Sequence, residues 1–342
     1  MKLQITGNDP LLCEFKLPLS ATLYFLGFPI QIFTNSPEVL AAAEESWGMF
    51  HNTRCEPPVK IRIGVLPGDN NELPPLPVVR SRGHLISQIA DAQNFMIVDT
   101  REGCAFGWLT QAAVSNRAYL RYHFLEGTAW EMLQCLYLTI VHGACVELDG
   151  HGVLLCGDSG AGKSSLAYAC AKNGWKFLSD DSSCLIRKQS GRVVTGNSRQ
   201  MRFRESAVQL FPELLRQRVH PKATGEMAIE LPTAANPRIE VIPDTTVDYI
   251  VFLNRFDAVP EGLVRFSKRL ALQWFRQIVC YGEENVREAQ YATLEDLLRA
   301  DVFEMRYTRM SSALRILKAL VRKGPEIVGE RSAAVAEERQ NA

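Results

Sequence analysis

Eight consecutive residues, Gly157-Asp158-Ser159-Gly160-Ala161-Gly162-Lys163-Ser164, spell G-x-x-x-x-G-K-[ST]. This pattern constrains the fold because it works only as a turn from a strand into a helix, with backbone N–H groups facing a phosphate. The flanks supply both elements. Gly152-Val153-Leu154-Leu155-Cys156 is an apolar strand candidate, and Ser165-Leu166-Ala167-Tyr168-Ala169-Cys170-Ala171 reads as an amphipathic helix closed by Asn173-Gly174. The glycines let the chain curl inward, the helix N-terminus adds a positive dipole end, Lys163 reaches the β/γ-phosphates and the Ser164 hydroxyl suits Mg²⁺. Residues 157–164 with Ser165 are therefore expected to bind a nucleoside triphosphate; a glycine-rich turn without chemistry is the competing reading.

The next strand candidate, Trp175-Lys176-Phe177-Leu178-Ser179, ends at Asp180-Asp181. Ligands of open α/β sheets lie beyond the carboxyl ends of the strands, which brings both acids up beside the phosphates. Adjacent carboxylates there can divide the labour, one positioning Mg²⁺ and the other accepting a proton from an attacking hydroxyl. A surface turn is the plainer fate of such a pair.

Three segments, His142-Gly143-Ala144-Cys145-Val146, then Gly152 to Ser164, then Leu178-Ser179-Asp180-Asp181, together resemble the C-terminal catalytic domain of HPr kinase/phosphorylase in order and spacing. The likeness covers roughly residues 126–325 and is concentrated between His142 and Asp181. It implies an α/β fold with a phosphoenolpyruvate-carboxykinase-like P-loop kinase core, and dependence on ATP and Mg²⁺. By resemblance, His142 is the active-site histidine, Lys163 the phosphate lysine, Ser164 a magnesium ligand, Asp181 the catalytic base, and Glu205 a further magnesium-binding acid; division of labour between the adjacent acids then leaves Asp180 to position the metal. On the residues alone, His142 reads equally as a packed core histidine opening the strand Ala144–Leu148, and Glu205 as the first acid of a helix through Ala207–Phe211. The chain also departs from the family. In place of its glycine-containing E-I-R-G segment stands Arg199-Gln200-Met201-Arg202-Phe203-Arg204-Glu205, and a later arginine- and glycine-containing loop is replaced by Asn236–Pro243. These differences point to HPr-kinase-related proteins that phosphorylate other acceptors, such as peptides.

Arg202 and Arg204 stand at alternate positions, so on a strand both would face one side, where they could hold phosphate oxygens, an acidic peptide, or only solvent. Lys222, in a flexible-looking stretch, is a candidate for closing over nucleotide.

The expected organisation is a smaller α+β N-terminal accessory domain at 1–124, a catalytic domain at 125–323 and a tail at 324–342. The first contains strand candidates at 29–33, 59–65 and 94–98, an exposed loop at 67–75, and one helix that starts at Ser36-Pro37. It serves substrate contact, homo-oligomerisation or mere support. A bridging helix, Thr128–Leu138, leads into the His142 strand. Later elements are a buried strand at 247–253, a helix at 270–275, a strand at 302–307 and a helix at 311–322.

Zero net charge gives no global field for nucleic acid or anionic lipid. Nine cysteines without a C-x-x-C pair suggest neither zinc nor a disulfide framework. The first residues lack a signal-peptide pattern and no run is long enough to span a membrane, so a cytoplasmic location is expected. The expected activity is phosphoryl transfer from ATP to a hydroxyl, with a serine of a protein or peptide as the partner; a small-molecule kinase or a nucleotide-dependent binding module would use the same loop.

Overall fold

The computed structural model describes residues 15–67, 72–187, 191–217, 219–221, 227–255, 260–277 and 282–327. The expected Lys222 lid, most of the tail and the middle of the 67–75 loop lie outside these. The chain divides into two compact units, residues 1–138 with 280–290, and residues 139–279 with 291–342.

The first unit carries a seven-stranded sheet. Its strands are β1 (Leu19–Phe25), β2 (Phe28–Thr34), β3 (Val59–Leu66), β4 (Val78–Arg82), β5 (Leu85–Ile89), β6 (Phe95–Asp99) and β7 (Cys104–Thr110), in the order β1-β2-β3-β7-β6-β5-β4. The β1–β2 hairpin turns at Leu26 and Gly27, both at positive φ, which matches the twist of the paired strands. Helix α1 (Pro37–Trp47) follows Ser36 as expected, but the Ser36 hydroxyl donates to Glu38 Oε2 at 3.0 Å instead of capping the helix.

One helix was expected in this half, whereas a second helical run occurs. It comprises α2 (Gln111–Ser115), α3 (Arg117–Tyr119) and a π-helical turn (Leu120–Glu126), and it leads into α4 (Gly127–Leu136), the expected bridging helix. Thr110 and Asn116 cap its first two pieces through their side chains. The α4 helix packs on β6, and its Thr128 hydroxyl donates to the buried Gln88. These contacts place the bridging helix in the first unit, which runs to Leu138.

The second unit is built on β8 (Leu138–His142), β9 (Ala144–Leu148), β10 (His151–Cys156), β11 (Lys176–Ser179), β12 (Ser182–Ile186), β13 (Val193–Gly196), β14 (Gln200–Phe203), β15 (Val219–Pro221), β16 (Met227–Pro232), β17 (Asp244–Arg255), β18 (Gly262–Arg265) and β19 (Asp301–Tyr307). The main path is β11-β9-β10-β17-β13-β12-β8, with β19 added to β17 and β18 to β19; β14-β16-β15 form a separate small sheet. The β10, β17 and β19 strands run parallel. Their apolar runs are buried on both faces, as central parallel strands require. Val153 and Leu155 pack toward α5 (Lys163–Lys172) and α8 (Met310–Lys323), while Leu154 and Cys156 pack toward α6 (Lys268–Phe275) and the later residues of α7 (Glu284–Leu297). Each such buried aliphatic side chain contributes about 1.5–3 kcal/mol relative to exposure.

Strand directions decide where the site forms. The β9 strand is antiparallel to both β10 and β11, so β10 and β11 end at the same edge of the sheet, and β9 begins there. The start of β9, the end of β10 and the end of β11 carry His142-Gly143, the glycine loop and Asp180-Asp181.

Candidate phosphate-transfer site

The glycine loop follows β10 directly. Gly157, Gly160 and Gly162 have φ of 142°, 89° and 97°, values that L side chains rarely adopt. A Cβ at Gly157 would lie 3.0 Å from that of Ala161. Gly162 caps α5 in a left-handed conformation, and the helix begins at Lys163. From β19, Tyr307 donates its hydroxyl to the Ala161 carbonyl at 3.3 Å and braces the loop from outside.

Lys163 is buried, and its ammonium donates to the carbonyls of Gly157 (2.8 Å) and Asp158 (3.2 Å). Burial lowers its pKa, while the charges of Asp181 and Asp158 act in the opposite direction. A cation is thus held inside a ring of backbone at a helix N-terminus, an arrangement suited to phosphate. Ser164 donates its hydroxyl to the main-chain carbonyl of Asp180 at 3.1 Å, linking the loop to the acidic pair.

Asp180 and Asp181 form the turn between β11 and β12, and their environments differ sharply. Asp180 is buried, and its carboxylate accepts the Arg202 N–H at 2.5 Å. Burial pushes its pKa up to about 7 despite that bond. Asp181 has a side chain 61% exposed, and its Oδ1 lies 3.4 Å from His142 Nδ1. Sequence alone leaves the two acids interchangeable, whereas the fold makes one an interior group and the other an accessible one.

His142 is the last residue of β8 and does not open β9 as expected; Gly143 separates the two strands, its N–H donating to the Val141 carbonyl. The turn is tied to the acidic hairpin by the Ser183 hydroxyl, which donates to the Gly143 carbonyl at 3.0 Å and contacts the Ser179 hydroxyl at 2.7 Å. Burial lowers the His142 pKa, with Asp181 opposing the shift.

Trp274 is a residue of this site that sequence reading placed only on a helix. Its indole is 6.4 Å from the His142 ring, meets Phe252 edge-on at 5.3 Å, and points Nε1 at Asp158 Oδ1 at 3.5 Å. Nothing in the spacing of α6 marks it out, since the site depends on where β17 and α6 pack. Arg204 is also at the loop, donating to the Ser159 hydroxyl at 2.7 Å. Arg202 does not join it: its guanidinium pairs with Glu230, its cross-strand neighbour, at 3.0 Å. The expected pair of arginines on one face is therefore divided between two partners.

The expected metal residues are brought together unequally. Ser164 and Asp180 adjoin through the 3.1 Å bond. Glu205 begins an exposed 3-10 turn (Glu205–Gln209), and among the described residues its carboxylate makes no hydrogen bond or ion pair. No cluster of three or more His, Cys, Asp or Glu suited to a metal occurs among the described residues. Mg²⁺ does not require one, because it commonly uses one or two carboxylates together with phosphate oxygens and water. Asp180 fits that role, since a neighbouring cation favours the charged form that burial disfavours. No helix among the described residues is long and apolar enough to cross a membrane.

Residues 135–206 match the HPr Serine kinase C-terminal domain. HPr kinase/phosphorylases of Bacillus cereus and Bacillus anthracis are each 42% identical to this chain over 60 residues, 18% of this chain and 19% of theirs. The chain thus spans about a fifth of the length of these curated relatives. A solved structure of the Hpr(Ser) kinase/phosphatase from Coxiella burnetii aligns with 54% of this chain and 94% of its own, at 16% identity and a TM-score of 0.29, too weak a superposition to bear on the fold. The matched segment runs from the end of α4 through His142, the glycine loop and the acidic pair to Arg204 and Glu205, and over this segment the chain is similar to HPr kinases.

Proposed function

We propose that this chain is an ATP- and Mg²⁺-dependent kinase that transfers the γ-phosphoryl group to a hydroxyl, with a serine of a protein or peptide as acceptor. The observation that carries the reading is the convergence of the buried Lys163 ammonium, held inside the glycine loop, with Asp180, Asp181 and His142 at one sheet edge. In this reading the loop amides and Lys163 hold and neutralise the phosphates, and Ser164 with Asp180 holds the metal. Bound Mg²⁺ would neutralise charge on the transferring group. Asp181 accepts the hydroxyl proton, and its exposure suits an acceptor presented on another polypeptide. His142 lies beside Asp181 and, with its lowered pKa, is neutral near pH 7, so it orients that carboxylate without neutralising it. The second unit corresponds in this reading to a phosphoenolpyruvate-carboxykinase-like core, and a cytoplasmic site of action accompanies it.

The acceptor is proposed to differ from HPr, because Arg202-Phe203-Arg204-Glu205 stands where that family carries its E-I-R-G segment. The test is transfer from γ-labelled ATP to HPr and, separately, to serine-containing peptides or carrier proteins encoded nearby. Label on a serine of the latter, with little on HPr and weak phosphorolysis of phosphoserine, is the expected result. Efficient modification of HPr with pyrophosphate formation from phospho-HPr would overturn the acceptor assignment, and ATP binding without transfer to any hydroxyl would overturn the kinase reading.

A further inference from the structure

Two cations approach the glycine loop from different elements. Lys163 belongs to the loop's own helix and bonds the carbonyls of Gly157 and Asp158. Arg204 comes from the end of β14, and its Nη2 donates to the Ser159 hydroxyl at 2.7 Å. Its Nη1 lies 3.6 Å from where a Cβ on Gly160 would stand, so the guanidinium rests against the two central residues of the loop. The two positive groups sense one another, since Arg204 contributes to lowering the Lys163 pKa.

The placement of Arg204 is built into the fold. Two residues earlier, the Arg202 N–H is fastened to the Asp180 carboxylate at 2.5 Å, and the Arg202 side chain is engaged by Glu230 on β16. The chain therefore enters the site at a fixed point, and Arg204 is the arginine of the pair delivered to the loop. An exposed arginine–serine hydrogen bond alone contributes little to folding. A guanidinium at a phosphate loop has a larger use, because its fork of donors matches phosphate oxygens and gains strength from their charge.

Resting on the reading of the loop as a nucleotide site, we infer that Arg204 is a phosphate-contacting residue that holds the polyphosphate of the bound nucleotide beside Ser159 and Gly160. It adds to Lys163 a second cation supplied within the same chain.

Calorimetric titration of the full chain with Mg·ATP and with inorganic tripolyphosphate tests the inference, the second ligand lacking base and sugar. Arg204→Gln is expected to weaken both ligands about tenfold or more, the loss of a charge-assisted hydrogen bond. The same loss should persist in a Ser159→Ala background, where the loop no longer offers its hydroxyl to Arg204, and should shrink as added salt screens the charge. Unchanged affinity in Arg204→Gln, or an effect that disappears when Ser159 is replaced, would overturn the inference, the latter because Arg204 would then act only by bracing the loop. Wild-type protein that binds neither ligand would remove the nucleotide reading and the inference with it. Wild-type binding with an indifferent Arg204→Gln removes the inference alone.

Discussion

Replacing Asp180 with Asn should make the protein more stable while weakening its site, and the stability gain should grow with pH. Asp180 is buried beside the phosphate loop, and its pKa rises from the ordinary 3.8 to about 7. A carboxyl raised in the folded state contributes its full stability below its unfolded pKa and loses it as pH rises toward the folded value. Between about pH 4 and pH 7 the wild-type protein should therefore weaken as this group is asked to ionise in the interior. The size of the rise corresponds to about 4 kcal/mol when fully expressed, near pH 8, and to less than half of that near pH 5. Asn carries no charge and retains an oxygen that can accept the Arg202 N–H. The advantage of Asp180→Asn over wild type should thus widen by roughly 2–3 kcal/mol from about pH 5 to about pH 8. Glu131, also raised to about 7 by burial, titrates in both proteins and cancels in the comparison. Denaturant unfolding of both proteins at the two pH values gives the difference directly. An Asn variant whose relative stability is flat with pH would refute the assignment of a buried, reluctantly ionised carboxylate. The same variant should bind Mg·ATP more weakly than wild type, because the proposed metal carboxylate is gone.

Lys163→Ala should lose most Mg·ATP affinity and all transfer, since it removes the buried ammonium held against the Gly157 and Asp158 carbonyls; calorimetry checks the first and labelled-phosphate transfer the second. Equal affinity in mutant and wild type would remove the loop from the nucleotide site. Asp181→Asn should leave ATP binding near wild type while turnover falls roughly 10²- to 10⁴-fold, because the amide cannot take the hydroxyl proton. Transfer at the wild-type rate would move the proton-accepting role away from Asp181. Gly162→Ala should lower the melting temperature and stability by about 1–2 kcal/mol, because residue 162 stands at φ 97° and a Cβ there lies 3.3 Å from the Tyr307 hydroxyl. An unchanged melting temperature would show that the loop relaxes freely at this point.

Much of the fold was legible because its signals are local. The strand–loop–helix of β10 and α5, the β17 and β19 strands, and the α6 and α8 helices follow from contiguous patterns of apolar residues, glycines and caps, and each occurs within a few residues of its expected bounds. The helical pieces from Gln111 to Glu126, ahead of the expected bridging helix, were not legible because they are short and joined through a π-helical turn, with no sustained helical period. The break between β8 and β9 was missed because Gly143 interrupts one continuous apolar stretch.

What the sequence determined by itself is the glycine loop, since eight adjacent residues carry both its backbone geometry and its cation. Tertiary structure decided everything that depends on segments meeting at an edge. It set His142 beside Asp181, brought Trp274 from α6, Tyr307 from β19 and Arg204 from β14 to the loop, and left Glu205 exposed outside the hydrogen-bonded cluster. It also separated two chemically identical neighbours. Asp180 turns into the interior onto the Arg202 N–H while Asp181 faces solvent, and because burial penalises charge, only the folded environment gives the two acids different chemistry.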